Sequence, residues 1–123
     1  MGKGHRPARL GEEIRKIISD LILRELKDPR LAVGMVSVTG VDVTADGSYA
    51  TVFLTVLGLD QKQEEQEKSK EDVLTAMRSA KGLIRKEIGR QIKLRHVPDL
   101  IFKMDTSMEY GRHIEEIIRG LEQ

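Results

Sequence analysis

Leu10, Ile14, Ile17, Ile18, Leu21, Ile22 and Leu26 recur at three- and four-residue intervals, the spacing that gathers side chains on one face of an α-helix. This predicts a helix from about Arg9 to Lys27, ended by the "KDPR" that follows, because the residue before Pro29 is pushed out of the α region. The period then changes to two. Val36 and Val38 alternate, then Val41 and Val43, with the parity slipping at Thr39-Gly40, which suggests a β-bulge. Asp46-Gly47 separates this run from a second β-branched run at about Tyr49–Leu57, a strong hairpin signal. "GLDQKQEEQEKSKED" is highly polar and reads as a loop leading into a solvated helix start, with Ser69 or Asp72 as the cap. Val73, Met77, Ala80, Ile84 and Ile88 form the apolar stripe of that helix, which should continue to at least Gly82. Leu100–Met104 alternates as a third strand, and a last helix is expected over about Ser107–Leu121, burying Ile114, Ile117, Ile118 and Leu121. The order predicts one α+β domain, a small sheet with helices packed on one face.

Composition narrows the chemistry. Hydrophobic residues make up 39% of the 123 positions but aromatics only 3%, so the core must be aliphatic. The absence of cysteine excludes a disulfide framework and thiolate zinc sites. The N-terminal "MGKGHRPARL" lacks a signal-type apolar stretch, and the longest apolar run, "VFLTVLGL", is too short to span a bilayer. A cytoplasmic, soluble protein is expected. His5, His96 and His113 are far apart, so neither a metal site nor a cofactor is anticipated. No nucleotide-cradling glycine loop or nucleophile elbow occurs, and Asp105, Thr106 or Ser107 reads as a helix cap beside Glu109 rather than as part of a catalytic group.

The net charge of +1 conceals segregation. Arg78, Lys81, Arg85, Lys86, Arg90, Lys93 and Arg95 lie in one stretch against the single acid Glu87, and Lys3, Arg6, Arg9, Arg15 and Lys16 form a second basic segment. On an ideal helix Arg78, Lys81, Gly82, Arg85, Gly89 and Lys93 fall away from the apolar stripe. Glycine on such a face lets a partner's backbone approach and tolerates a helix break, and a new helix start would offer N–H groups to an anion. The clustered cations thus fit phosphates, with a plainly solvated helix face as the alternative. The N-terminal "GKGHRPARLGEEIRK" reads equally as a basic segment that adds phosphate contacts or as a solubilising tail, with residues 1–8 as a flexible basic arm. Few aromatics are available for base stacking, only Tyr49, Phe53, Phe102 and Tyr110, several of them in strands expected to face the core.

"RLGEEIRKIISDLILRELKDPRL", "VSVTGVDVTADGSYATVFLTVLG" and "LTAMRSAKGLIRKEIGRQIKLRHVPDLIFKMDTSMEYGRHIEEII", colinear over nearly the whole chain, resemble the bacterial ribosome-binding factor A family. The resemblance implies a type II KH-like fold in which an Ala-x-Gly kink, here Ala80-Lys81-Gly82, replaces the GxxG nucleotide loop; no GxxG occurs in the sequence. It further implies a non-enzymatic assembly factor, for which the ample aliphatic core makes a monomer adequate. Such a factor binds the immature small ribosomal subunit and its precursor rRNA, promotes maturation of the rRNA 5′ end and supports growth in the cold. Arg6, Arg9, Arg78, Lys81, Gly82, Arg85, Lys86, Arg90, Lys93 and Arg95 become the candidate RNA-binding set. Other assembly factors are possible partners. The competing readings are a protein-interaction module whose basic helix docks on an acidic partner, with the hairpin's edge strand joining another sheet, and, more distantly, a small nuclease.

Overall fold

The computed structural model describes residues 7–59 and 62–106. Helix α1 spans Pro7–Arg24, with a proline at its first position, where the missing N–H is no loss. Pro7 and Ala8 are therefore helical rather than part of an arm; residues 1–6 lie outside the described residues. The helix stops three residues short of the predicted Lys27, where the Glu25 and Leu26 N–H groups both turn onto the Leu21 carbonyl at 2.8 Å. Leu26 kept the apolar period in the sequence because it still packs against the core, but from a turn. A short 3-10 helix, Pro29–Val33, follows, its start capped by the Asp28 carboxylate, which accepts from the Arg30 N–H at 2.9 Å.

Strands β1 (Met35–Val43) and β2 (Tyr49–Leu57) pair antiparallel, and β3 (Asp99–Met104) adds parallel to β2, giving the order β1-β2-β3. The predicted bulge is present, since the register slips between Val38 and Gly40. At the hairpin, the Asp46 carboxylate accepts from the Ser48 N–H at 3.0 Å and from the Thr44 hydroxyl at 2.8 Å, and Gly47 adopts the left-handed φ of 76° that the turn requires. A parallel neighbour cannot be reached through a tight turn. The crossover is made by helices α2 (Gln63–Ser79) and α3 (Lys81–Gln91).

Helix α2 begins at Gln63, not at Ser69 or Asp72, and Ser69 is buried in its middle. The polar stretch had no apolar period because its first turns project into solvent, yet Glu, Gln and Lys are good helix formers, and Glu64 and Glu65 sit favourably at the positive end of the helix dipole. The helices pack on one face of the sheet. Ile14 and Ile18 of α1, Val73 and Met77 of α2, and Ile84 and Ile88 of α3 bury themselves against Ala50, Val52, Leu54, Leu100 and Phe102. Gly11 lets α1 lie directly on β1, since a Cβ there would collide with the Val41 carbonyl oxygen. This is the expected α+β, KH-like arrangement with a mixed three-stranded sheet. The helix predicted over 107–121 lies outside the described residues.

Candidate nucleic-acid interface

The basic stretch is distributed over the end of α2, the whole of α3 and the extended segment that leads to β3. The junction between the helices is a single residue. Ala80 leaves helical geometry at φ −87°, ψ 0°, its N–H shared at 3.1 Å between the Ala76 and Met77 carbonyls, while its own carbonyl already accepts from Ile84 at 2.9 Å. The kink is thus at Ala80. Gly82 sits inside the first turn of α3, and a Cβ on it would meet nothing within 4 Å. No side chain caps this helix start.

The cations fall into three groups. Lys81 and Arg85, one turn apart, flank the side of α3 turned toward β3. The Lys81 ammonium is 3.5 Å from Asp99. Arg85 departs from the expectation that it faces a phosphate: its Nε donates to the Pro98 carbonyl at 3.1 Å and its Nη2 to the Val97 carbonyl at 2.8 Å, so its fork fixes the chain entering β3. Pro98, beneath it, is fully buried.

The second group is paired with acids of its own helix. Arg90 holds Glu87 through Nε at 2.8 Å and Nη2 at 2.6 Å, and Glu87 also accepts from Gln91 at 2.9 Å. Those side-chain hydrogen bonds, Arg90's first, hold the Glu87 carboxyl down at about 2. Arg78 reaches Glu71 at 3.4 Å, an exposed contact that a stronger anion could displace.

The third group is Lys86, Lys93 and Arg95, all exposed and, among the described residues, without an ion pair. Lys86 occupies the crest of α3 opposite Ile84 and Ile88. After the helix, Ile92 is extended (φ −122°, ψ 128°) and buried, so alternation turns Lys93 and Arg95 outward together.

Helix α1 contributes as well. Glu13, Lys16 and Ile17 share a cleft of about 360 Å³ with Gln91, Ile92 and Lys93. This joins the N-terminal basic segment to the end of α3 and brings exposed Lys16, absent from the sequence-derived set, beside Lys93. Its only signal in the sequence was membership of that basic segment. Arg9 is exposed and lies 3.6 Å from Glu13; Arg6 is outside the described residues. The expectation that aromatics lie in the core holds for Phe102 but not for Tyr49 and Phe53, which occupy the solvent face of β2. Tyr110 is outside the described residues. Among the described residues no cluster of His, Asp and Glu could hold a metal ion, and no helix is long and apolar enough to cross a membrane.

Comparison with known proteins identifies the family and the fold. A ribosome-binding factor A from Desulforamulus reducens is 46% identical over 117 residues, spanning 95% of this chain and 90% of that one. A solution NMR structure from Thermotoga maritima superposes with a TM-score of 0.66 at 30% identity, covering 87% of this chain and 93% of the other. The Thermus thermophilus ribosome binding factor A, as fitted into the cryo-EM map of its 30S complex, shares the fold with a TM-score of 0.60 at 21% identity over 81% of this chain and 96% of that one. The family model described as ribosome-binding factor A matches residues 6–118, and the chain belongs to that family.

Proposed function

We propose that this protein is a non-enzymatic assembly factor, a single KH-like RNA-binding domain that binds the immature small ribosomal subunit through its precursor rRNA, in the cytoplasm and as a monomer. The observation that carries this reading is the group Lys86, Lys93 and Arg95, exposed and unpaired with acids among the described residues, in a chain of the ribosome-binding factor A family. These side chains neutralise phosphates; Arg78, Lys81 and Arg90 join when rRNA displaces their weaker local partners, and Lys16, Arg9 and Arg6 extend the contact along the N-terminal segment. Arg85 shapes the surface from beneath. Gly82 keeps the first turn of α3 open to a close backbone approach.

Binding of this kind makes and breaks no covalent bond. It favours the rRNA conformation to which the protein binds more tightly, in proportion to that difference in affinity. On this account the factor promotes maturation of the rRNA 5′ end and matters most in the cold, where misfolded RNA escapes slowly. The fitted 30S complex of the Thermus protein supports the choice of partner.

Sucrose-gradient co-sedimentation with free small subunits tests the reading. Wild type should sediment with the particles, and Lys86→Glu/Lys93→Glu, at positions without structural partners, should remain folded and fail to do so. Sedimentation of the double variant at wild-type levels would move the interface elsewhere. Cleavage of precursor rRNA by the purified protein with magnesium would defeat the non-enzymatic claim.

A further inference from the structure

With α1, α2 and α3 all packed on one side, the opposite face of the sheet has no helix among the described residues to cover it. The described residues include six exposed large hydrophobics: Leu23, Met35, Tyr49, Leu57, Leu83 and Ile101. Alternation and register place four of these on that face: Met35 opposite Leu57 at one end, Ile101 beside Thr51 in the middle, and Tyr49 at the end near the hairpin turn. Scattered exposed side chains need no explanation, but a cluster on one uncovered surface does.

At the centre lies Phe53, partly exposed, with Gly40 opposite it on β1 and Lys103 beside it on β3. The bulge puts a glycine where a cross-strand side chain would otherwise cover the ring. A Cβ at Gly40 would meet nothing within 4 Å, so one flank of the ring is open.

The charge of this face selects the partner. Asp42 is exposed and makes no ion pair among the described residues, and Asp46 lies in the adjoining turn, with Lys103 the cation on the described part of this face; Asp99, next to Tyr49 in register, is paired with Lys81 of α3. Phosphates would be repelled here, whereas the cations suited to them are on α3, on the other side of the sheet. An acidic rim around an apolar, aromatic centre instead complements a cationic polypeptide. At about 3.3 Å per residue, a nine-residue central strand gives a track of roughly 30 Å, the length of an extended segment of eight to ten residues.

We infer that the helix-free face of the sheet docks a lysine- or arginine-rich protein segment, which seats an apolar side chain on Phe53 beside Gly40 and sets its cations against Asp42 and the hairpin turn. The surface is separate from the cationic one, and the inference does not depend on rRNA binding.

Amide NMR of the full, ¹⁵N-labelled chain tests this with three probes: a synthetic ten-residue peptide alternating lysine with leucine and valine, its glutamate counterpart, and a single-stranded RNA oligonucleotide. The lysine peptide should shift the amides of residues 40–42, 49–55 and 99–103. Asp42→Lys should weaken its binding about twofold to fivefold, the upper part of the range for an exposed charge pair. Gly40→Leu, whose Cβ would meet nothing within 4 Å and whose side chain projects on the open flank, should weaken it comparably. Both variants should give wild-type spectra elsewhere and retain wild-type binding to small subunits, which excludes unfolding as the cause. The inference is overturned if the lysine peptide leaves these amides unmoved or if the glutamate peptide binds equally well. It is also overturned if the RNA oligonucleotide shifts the same residues, since the face would then be a base-stacking platform.

Discussion

Replacing Arg85 with glutamate separates support of the surface from contact with a ligand. The wild-type guanidinium makes two charge-assisted hydrogen bonds, 2.8 and 3.1 Å long, to the carbonyls of Val97 and Pro98. Hydrogen bonds to a charged group contribute about 1.5–3 kcal/mol each, but two from one rigid fork are not independent, so their joint loss should cost about 2–3 kcal/mol. The introduced carboxylate cannot donate to either carbonyl. Unfolding entropy near the midpoint is about 2.1 cal/mol/K per residue, or roughly 0.26 kcal/mol/K for this chain, so the melting temperature should fall by about 8–12 °C. Lys86→Glu, one position along on the exposed crest, should shift it by no more than about 2 °C, since surface changes away from structural contacts stay within about 0.5 kcal/mol. Thermal unfolding followed by circular dichroism, paired with small-subunit binding below both transitions, reads the two effects separately. If Arg85→Glu melts like wild type yet no longer binds, the assignment of Arg85 to the backbone is wrong and it belongs with the phosphate-binding cations.

Arg90→Gln should flatten the log–log salt dependence of small-subunit binding by about 0.7–0.9, the loss of one neutralised phosphate once rRNA has displaced Glu87 from the guanidinium; an unchanged slope in a filter-binding titration would show that Arg90 stays out of the interface. Glu87 and Asp28, the latter held down chiefly by its side-chain and backbone hydrogen bonds from Arg30, both titrate at about 2 in the folded protein, below their ordinary 4.5 and 3.8. The stability they contribute is therefore fully present above those ordinary values and disappears as the pH falls toward 2. Melting curves at pH 7, 5, 3.5 and 2 should show their share lost only in the last two. Gly11→Ala should destabilise by about 1–3 kcal/mol because its methyl group meets the Val41 carbonyl, whereas Gly82→Ala should be neutral or stabilising by up to about 1 kcal/mol; denaturant titration of the pair checks whether the close approach belongs to α1 rather than to the kink.

Local chemistry alone specified much of the fold. The apolar period of α1, the slip at Thr39-Gly40, the Asp46-Gly47 turn and the alternation of β3 are written in neighbouring residues, and the elements appear where those patterns place them. The first turns of α2 escaped because they bury little, so helix propensity acts there without an apolar stripe to announce it. The composition of the cationic surface was also legible, as seven basic residues against one acid between Arg78 and Arg95.

Which of those cations are available was not legible. Arg85 is committed to carbonyls twelve and thirteen residues away, Lys81 to Asp99, and Lys16 shares a cleft with Lys93 only because α1 and α3 pack against each other. The same holds for Tyr49 and Phe53, whose exposure among the described residues depends on α1, α2 and α3 choosing the other face of the sheet. Sequence determined the elements because turn chemistry and side-chain period act over a few residues; the surface was decided by tertiary structure, because a charge or a ring is free only when no distant part of the chain comes to meet it.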